Sequence, residues 1–284
     1  MAKLIAFIDG STYSESVCDH TAWIAGRTDA KVEILHILGR RALSSVPGNL
    51  SGSIGLGARS ALLEELAEND ARAAKLAQER GRLILQESKA RIEAAGVADV
   101  GTRLRNADIV ETIQEYEAGA DVIVIGKRGE AADFARLHLG SNLERVVRSS
   151  TRPILVASRA FKPIEKVLIA FDGGRSVTKA IDFIAGLKGF DGLDFRLLSV
   201  GAENADTQRK IEAARDKLRE AGYVADARIE SGEPEKVIAE MADAGETDLL
   251  VMGAYGHSRI RNLIIGSTTT AMIRSCKIPV MLFR

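Results

Sequence analysis

Residues 248–269, DLLVMGAYGHSRIRNLIIGSTT, decide how the chain is read. The run Asp248-Leu-Leu-Val-Met252 has the continuous apolar character of a strand buried on both faces of a parallel sheet. It stops at Gly253. Gly256 follows after two residues and Gly266 after nine more, and then Ser267, Thr268 and Thr269 open a segment of helical composition. Glycine admits positive φ and lets a ligand approach the backbone with no Cβ in the way. Hydroxyl residues at a helix start add donors to the unpaired N–H groups and the positive dipole end, which together favour an anion. The stretch therefore reads as a phosphate cradle. A lone Gly-x-x-Gly is more often a plain turn, but the strand before it and the helix after it supply the context that a nucleotide loop needs. The dipole contributes only about 0.3–1 kcal/mol at an exposed site. Hydroxyls, a cation and a base pocket must add the rest, and His257, Arg259 and Arg261 read either as charge-assisted donors to phosphate or as ordinary charges of a solvated loop.

Outward from this stretch the chain repeats itself. Lys3-Leu-Ile-Ala-Phe-Ile8 is an apolar strand run stopped by Asp9-Gly10-Ser11, and Lys166-Val-Leu-Ile-Ala-Phe171 is stopped in the same way by Asp172-Gly173-Gly174. Asp121-Val-Ile-Val-Ile125, followed by Gly126, Gly129, Gly140 and Ser141, matches Asp248–Met252 and its glycines. Helical spacing over Glu15 to Arg27, strand composition over Lys31 to Leu38 and Val97 to Arg105, and a helix over Asp108 to Ala118 fill the first copy. Ser60 to Ala95 reads as one long helix or as two joined at Gly81. Asp9 and Asp172 lie 163 residues apart but Gly126 and Gly253 only 127, so the first copy carries about 36 additional residues between these landmarks. They are the lengthened helix and a long loop over 40–59 that holds Pro47, Gly48, Gly52, Gly55 and Gly57. The expected architecture is α/β, with two tandem doubly wound domains over 1–159 and 164–284. Right-handed crossovers place helices on both faces of a parallel sheet, and the order expected for the five strands of each domain is 3-2-1-4-5. Ligands bind such sheets beyond the carboxyl ends of strands 1 and 4, which is where Asp172 and Gly253 fall.

The spacing G-x2-G-x9-G-(S/T) at Gly253, Gly256, Gly266 and Ser267 resembles the signature of the ATP-binding branch of the universal stress protein family, complete in spacing and identity. The resemblance extends over nearly the whole chain outside the glycine-rich loop. It implies ATP, carried with magnesium, as the ligand of the second domain. The residues it assigns to the nucleotide are Asp172, Gly173, Val200, Met252, Gly253, Gly256, His257, Gly266, Ser267, Thr268 and Thr269. Val200 matches a position whose backbone faces the adenine, although its side chain reads as core. Asp172 also has a plain reading as a turn former. Asp9, Gly126, Gly129, Gly140 and Ser141 mark a weaker first site. There ten residues, not nine, precede Gly140, Glu130 and Asp133 bring like charge towards phosphates, and Leu143 stands where Thr269 has a hydroxyl. Lys127 and Arg128 partly offset that charge.

Composition narrows the function classes. Lys+Arg and Asp+Glu balance at 39 each, which leaves no global field for nucleic acid or an anionic membrane. Cys18 and Cys276 suggest neither a disulfide framework nor a zinc site, and His20, His36 and His138 read as structural or surface groups. The amino-terminal apolar run is too short for a signal peptide, and no stretch approaches about twenty apolar residues, so the chain is read as cytoplasmic. No nucleophile with a base and no carboxylate pair stands out, so no catalytic residue is assigned and the metal is left open. The leading expectation is an ATP-binding stress-response regulator with slow hydrolysis at most and an unidentified regulatory partner. The alternatives are an ATP-using transferase or ligase, and a scaffold whose first domain binds a different small ligand. The apolar runs Pro153–Val156 and Pro279–Phe283 read as edge strands, which tend to be paired; the family resemblance, in which this strand makes the dimer contact, implies that the two pair with each other inside the chain and leave other surfaces for a homodimer.

Overall fold

A computed structural model of the chain describes residues 2–39, 56–129, 141–254 and 267–284. The first copy runs β1 (Lys3–Ile8), α1 (Ser14–Thr28), β2 (Lys31–Ile37), α2 (Leu56–Ala94), β3 (Val100–Arg105), α3 (Ile109–Tyr116), β4 (Val122–Gly126), α4 (Ser141–Ser149) and β5 (Ile154–Ala157). The second runs β6 (Lys166–Ala170), α5 (Arg175–Gly186), β7 (Asp194–Val200), α6 (Ala205–Glu220), β8 (Val224–Glu230), α7 (Pro234–Asp243), β9 (Leu249–Gly253), α8 (Ser267–Ser275) and β10 (Val280–Phe283). The strands lie in the order β3-β2-β1-β4-β5-β10-β9-β6-β7-β8. Each half is thus a parallel sheet in the expected order 3-2-1-4-5.

The two halves join at their last strands. β5 and β10 are short, apolar and buried along their whole length, and they pair antiparallel with Met281 opposite Leu155. Alternate residues of the eight inner strands feed two apolar layers, one on each face of the sheet, while the outermost strands β3 and β8 feed only one of them. Leu4, Leu155, Met281 and Phe195 belong to one layer, and Ile5, Ile154, Leu282 and Leu250 to the other, so both layers cross the seam between copies. The same aspartate device starts each central pair. Lys3 N–H donates to Asp121 Oδ2 (2.8 Å), while Glu165 and Lys166 N–H both donate to Asp248 Oδ2 (3.1 and 2.9 Å).

The lengthened segment starts earlier than expected and takes the first of its two expected forms. Residues 56–59 are already helical, and the rest of the expected glycine-rich loop, 40–55, lies outside the described residues. α2 is one helix of 39 residues, with no joint at Gly81. A Cβ at Gly81 would come within 2.7 Å of Leu104 Cδ1 and 2.9 Å of His36 Cδ2, so this glycine serves a close approach of helix to sheet. At the other boundaries, β3 starts at Val100, three residues later than read, and Asp108 caps α3 by accepting from Val110 N–H (2.8 Å). Among the described residues no helix is long and apolar enough to cross a membrane.

Candidate functional site

In the second copy β6 pairs with β9 in the register Val167↔Leu249 to Ile169↔Val251, which brings the turn after β6 beside the end of β9. Phe171 N–H donates to the Leu198 carbonyl (2.8 Å) and ends the strand. The next residue, Asp172, is exposed, and its Oδ1 accepts from Gly174 N–H (2.8 Å), a tight Asx turn that leads into α5. Gly173 has φ +69°, a conformation that favours glycine. Among the described residues a Cβ there would meet only Lys210 Cδ at 3.6 Å and Phe171 at 3.9 Å, both ordinary contacts.

α8 starts at Ser267 and includes Thr268 and Thr269 in its first turn. Thr269 is buried, and its Oγ1 donates to the Gly253 carbonyl (3.2 Å), tying the start of the helix to the end of β9. The hydroxyl proton thus goes to the strand end, and what remains on that oxygen is acceptor capacity. Met252 is a core side chain, and Val200 at the end of β7 is half-buried against the same apolar layer. The described residues therefore bring together Asp172, Gly173, Gly253 and the first turn of α8. Gly256, His257 and Gly266, with Arg259 and Arg261, lie outside the described residues.

The first copy has the same framework but more crowding. Asp9 Oδ1 accepts from Ser11 N–H (3.0 Å) and Ser14 Oγ (3.4 Å), while its Oδ2 lies 2.7 Å from where a Cβ at Gly129 would stand. Gly10 has φ +78°, and a Cβ there would be 2.6 Å from Ile84 Cδ1. Gly126 lies under Tyr13, whose Cβ would be 2.9 Å from an added Cβ. Leu143, in α4, is buried in the core where Thr269 has its hydroxyl. Ser141 is the first residue of α4, and Gly140, Glu130 and Asp133 lie outside the described residues.

Lys127 is placed where the sequence could not put it. Its ammonium donates to the Cys276 carbonyl (2.6 Å), just past α8 in the other copy. Burial pushes its pKa down to about 8. His20 and His36 are buried; His20 Nδ1 lies 2.7 Å from the Ser16 carbonyl and His36 Nδ1 2.8 Å from the Ile8 carbonyl. His138 lies outside the described residues. Cys18 and Cys276 are buried free thiols. Among the described residues no three His, Cys, Asp or Glu side chains stand together as a metal site.

Comparison with known proteins follows this duplication. The model of the universal stress protein family matches twice, over residues 1–158 and 163–284. Universal stress protein Slr1230 of Synechocystis sp. is 36% identical over 287 residues, covering 100% of both chains. A universal stress protein of Mycolicibacterium smegmatis is 23% identical, covering 99% of this chain and 96% of its own. Among solved structures, a universal stress protein from Archaeoglobus fulgidus superposes with a TM-score of 0.70 at 20% identity, covering 99% of this chain and 98% of its own.

Proposed function

The chain belongs to the universal stress protein family, and from that premise we propose that it is an ATP-binding regulator whose second copy holds the nucleotide. The observation that carries the reading is the asymmetry of two equivalent turns. Among the described residues a Cβ at Gly173 would meet only ordinary contacts beside an exposed Asp172, whereas a Cβ at Gly10 would clash with Ile84 and one at Gly126 with Tyr13. In this reading the triphosphate lies at the start of α8, over Gly266, Ser267 and Thr268, where the unpaired N–H groups and the dipole of a nine-residue helix favour an anion. Thr269 fixes that helix start against Gly253. Asp172 contacts the ribose or base, or helps to hold magnesium carried on the phosphates. The intact glycine spacing supports this assignment. The proposal includes action in the cytoplasm through nucleotide-dependent partners, with hydrolysis slow at most.

Isothermal titration of the intact chain with ATP and magnesium tests the reading. One binding event per chain is expected. It should vanish in the double variant Gly253→Val, Gly266→Val, with the fold checked by circular dichroism. Unchanged affinity in the folded double variant, or two indistinguishable sites per chain, would overturn it.

A further inference from the structure

α2 has 39 residues where its counterpart α6 has 16, or about 58 Å against 24 Å at 1.5 Å per residue. Its buried positions among residues 63–94, Gly81, Leu85, Ser88 and Ile92, follow spacings of 4, 3 and 4. No residue from 63 to 80 is buried. Leu66, Asp70, Ala74 and Ala77 are half-buried and continue the line of Gly81, Leu85, Ser88 and Ile92, while the rest of this segment is exposed without being polar all round. Four large apolar side chains are exposed among the described residues, and three of them are on α2: Leu63 (46%), Leu76 (65%) and Leu83 (59%). With Leu66 and Ala73 they recur at intervals of 3, 7, 3 and 7, which keeps them on one side of a helix.

Charge identifies what covers this stripe. Glu64, Glu65, Glu68 and Asp70 make the first part acidic, and Arg72, Lys75, Arg80 and Arg82 make the second part basic, with Glu79 the one interruption. A partner of uniform charge would be attracted to one half and repelled by the other. A copy of the same segment running antiparallel across a two-fold axis sets acid against base at both ends, while a parallel copy sets like against like.

We propose that residues 63–83 of α2 form a dimerisation arm that pairs antiparallel with the same segment of a second copy of this chain. The surface is separate from the β5–β10 seam, which is satisfied within the chain. Twenty-one residues give a contact about 30 Å long, at the small end of stable interfaces, so the dimer should dissociate on dilution to roughly micromolar concentration.

Sedimentation velocity on the intact chain tests this. The wild type should be a dimer at about 100 µM that weakens as salt is raised, because exposed charge pairs are screened. Reversing the acidic half (Glu64→Lys, Glu65→Lys, Glu68→Lys) should give a monomer, and so should reversing the basic half (Arg72→Glu, Lys75→Glu, Arg82→Glu). Mixing the two variants should restore a heterodimer, an outcome that helix loss in either variant could not produce. A monomeric wild type, reversed variants that dimerise as the wild type does, or failure of the mixture to pair would each overturn the proposal.

Discussion

The ammonium of Lys127, one residue beyond β4 in the first copy, lies 2.6 Å from the carbonyl oxygen of Cys276, just past the end of α8 in the second. The relation has a reciprocal: Arg284, one residue beyond β10, donates from Nη1 to the Arg148 carbonyl in the last turn of α4 (2.8 Å). Each loop helix is thus met at its carboxyl end by a cation from the other copy, where the dipole and the last carbonyls favour positive charge. The antiparallel pairing of β5 with β10 brings these ends together. The helix that opens at the proposed phosphate site is consequently anchored at its far end by the other domain.

The first prediction follows from the burial of Lys127. Its pKa in the fold, about 8, lies below the ordinary 10.5, so between those values the unfolded chain binds more protons than the folded one. Wild-type stability should rise with pH across that window relative to Lys127→Met, by on the order of 1–3 kcal/mol at 1.36 kcal/mol for each pH unit of the window. Urea unfolding at intervals from pH 7.5 to 10.5 measures it. Parallel pH profiles for the two proteins would show that the lysine is not buried as a cation.

His20 gives a prediction at the acid end. Its Nδ1 lies 2.7 Å from the Ser16 carbonyl, an acceptor only, so Nδ1 carries the proton; Nε2 is buried without a hydrogen-bond partner, and the ring packs edge-on against Phe161 at 5.0 Å. Burial lowers its pKa from 6.5. Below about 6.5 the unfolded chain therefore takes up the proton first, and stability should fall as pH drops from 7 to 5. His20→Phe should fall less steeply over that range. Equal slopes in thermal melts would remove His20 as the cause.

These two residues mark the limit of what the sequence makes legible. Apolar runs, turn residues and the repeat were enough for the succession of strands and helices in each half, because each element depends on neighbours within a few positions. Lys127 depends on a carbonyl 149 positions away, and no local pattern carries that. Gly81 left two readings of the helix open for a related reason. A glycine in a helical stretch reads as a joint, but here the space is needed by His36 and Leu104, which reach it only through the packing of β2 and β3. At the site, the Asp172 turn and the Gly253 strand end were legible as strand termini. The crowding of Gly10 by Ile84 was not, since it depends on where α2 crosses the first copy.

That crowding can be measured directly. Gly10→Ala and Gly173→Ala both place a Cβ at positive φ, at about 1–2 kcal/mol each. Only at Gly10 does the new Cβ also meet Ile84, at 2.6 Å, so Gly10→Ala should be the more destabilising by roughly 1–3 kcal/mol from overpacking. Adding Ile84→Ala should recover part of the difference in a double-mutant cycle. Equal costs at the two glycines would show that the first turn is as open as the second.

Thr269 and Leu143 provide the last test, because they are the same position in the two copies and are both buried. Thr269 Oγ1 donates to the Gly253 carbonyl, so its hydroxyl holds α8 against β9. Thr269→Val keeps the shape and removes that bond, and it should lower stability by about 1 kcal/mol, whereas Thr269→Ser should retain most of it. ATP affinity should fall only a few-fold in Thr269→Val, since the helix is still held by the core and by Lys127 at its other end. If Thr269→Val instead lost a hundredfold or more in affinity at unchanged stability, its hydroxyl would be a direct phosphate ligand, and the tie to Gly253 would not persist in the nucleotide-bound protein.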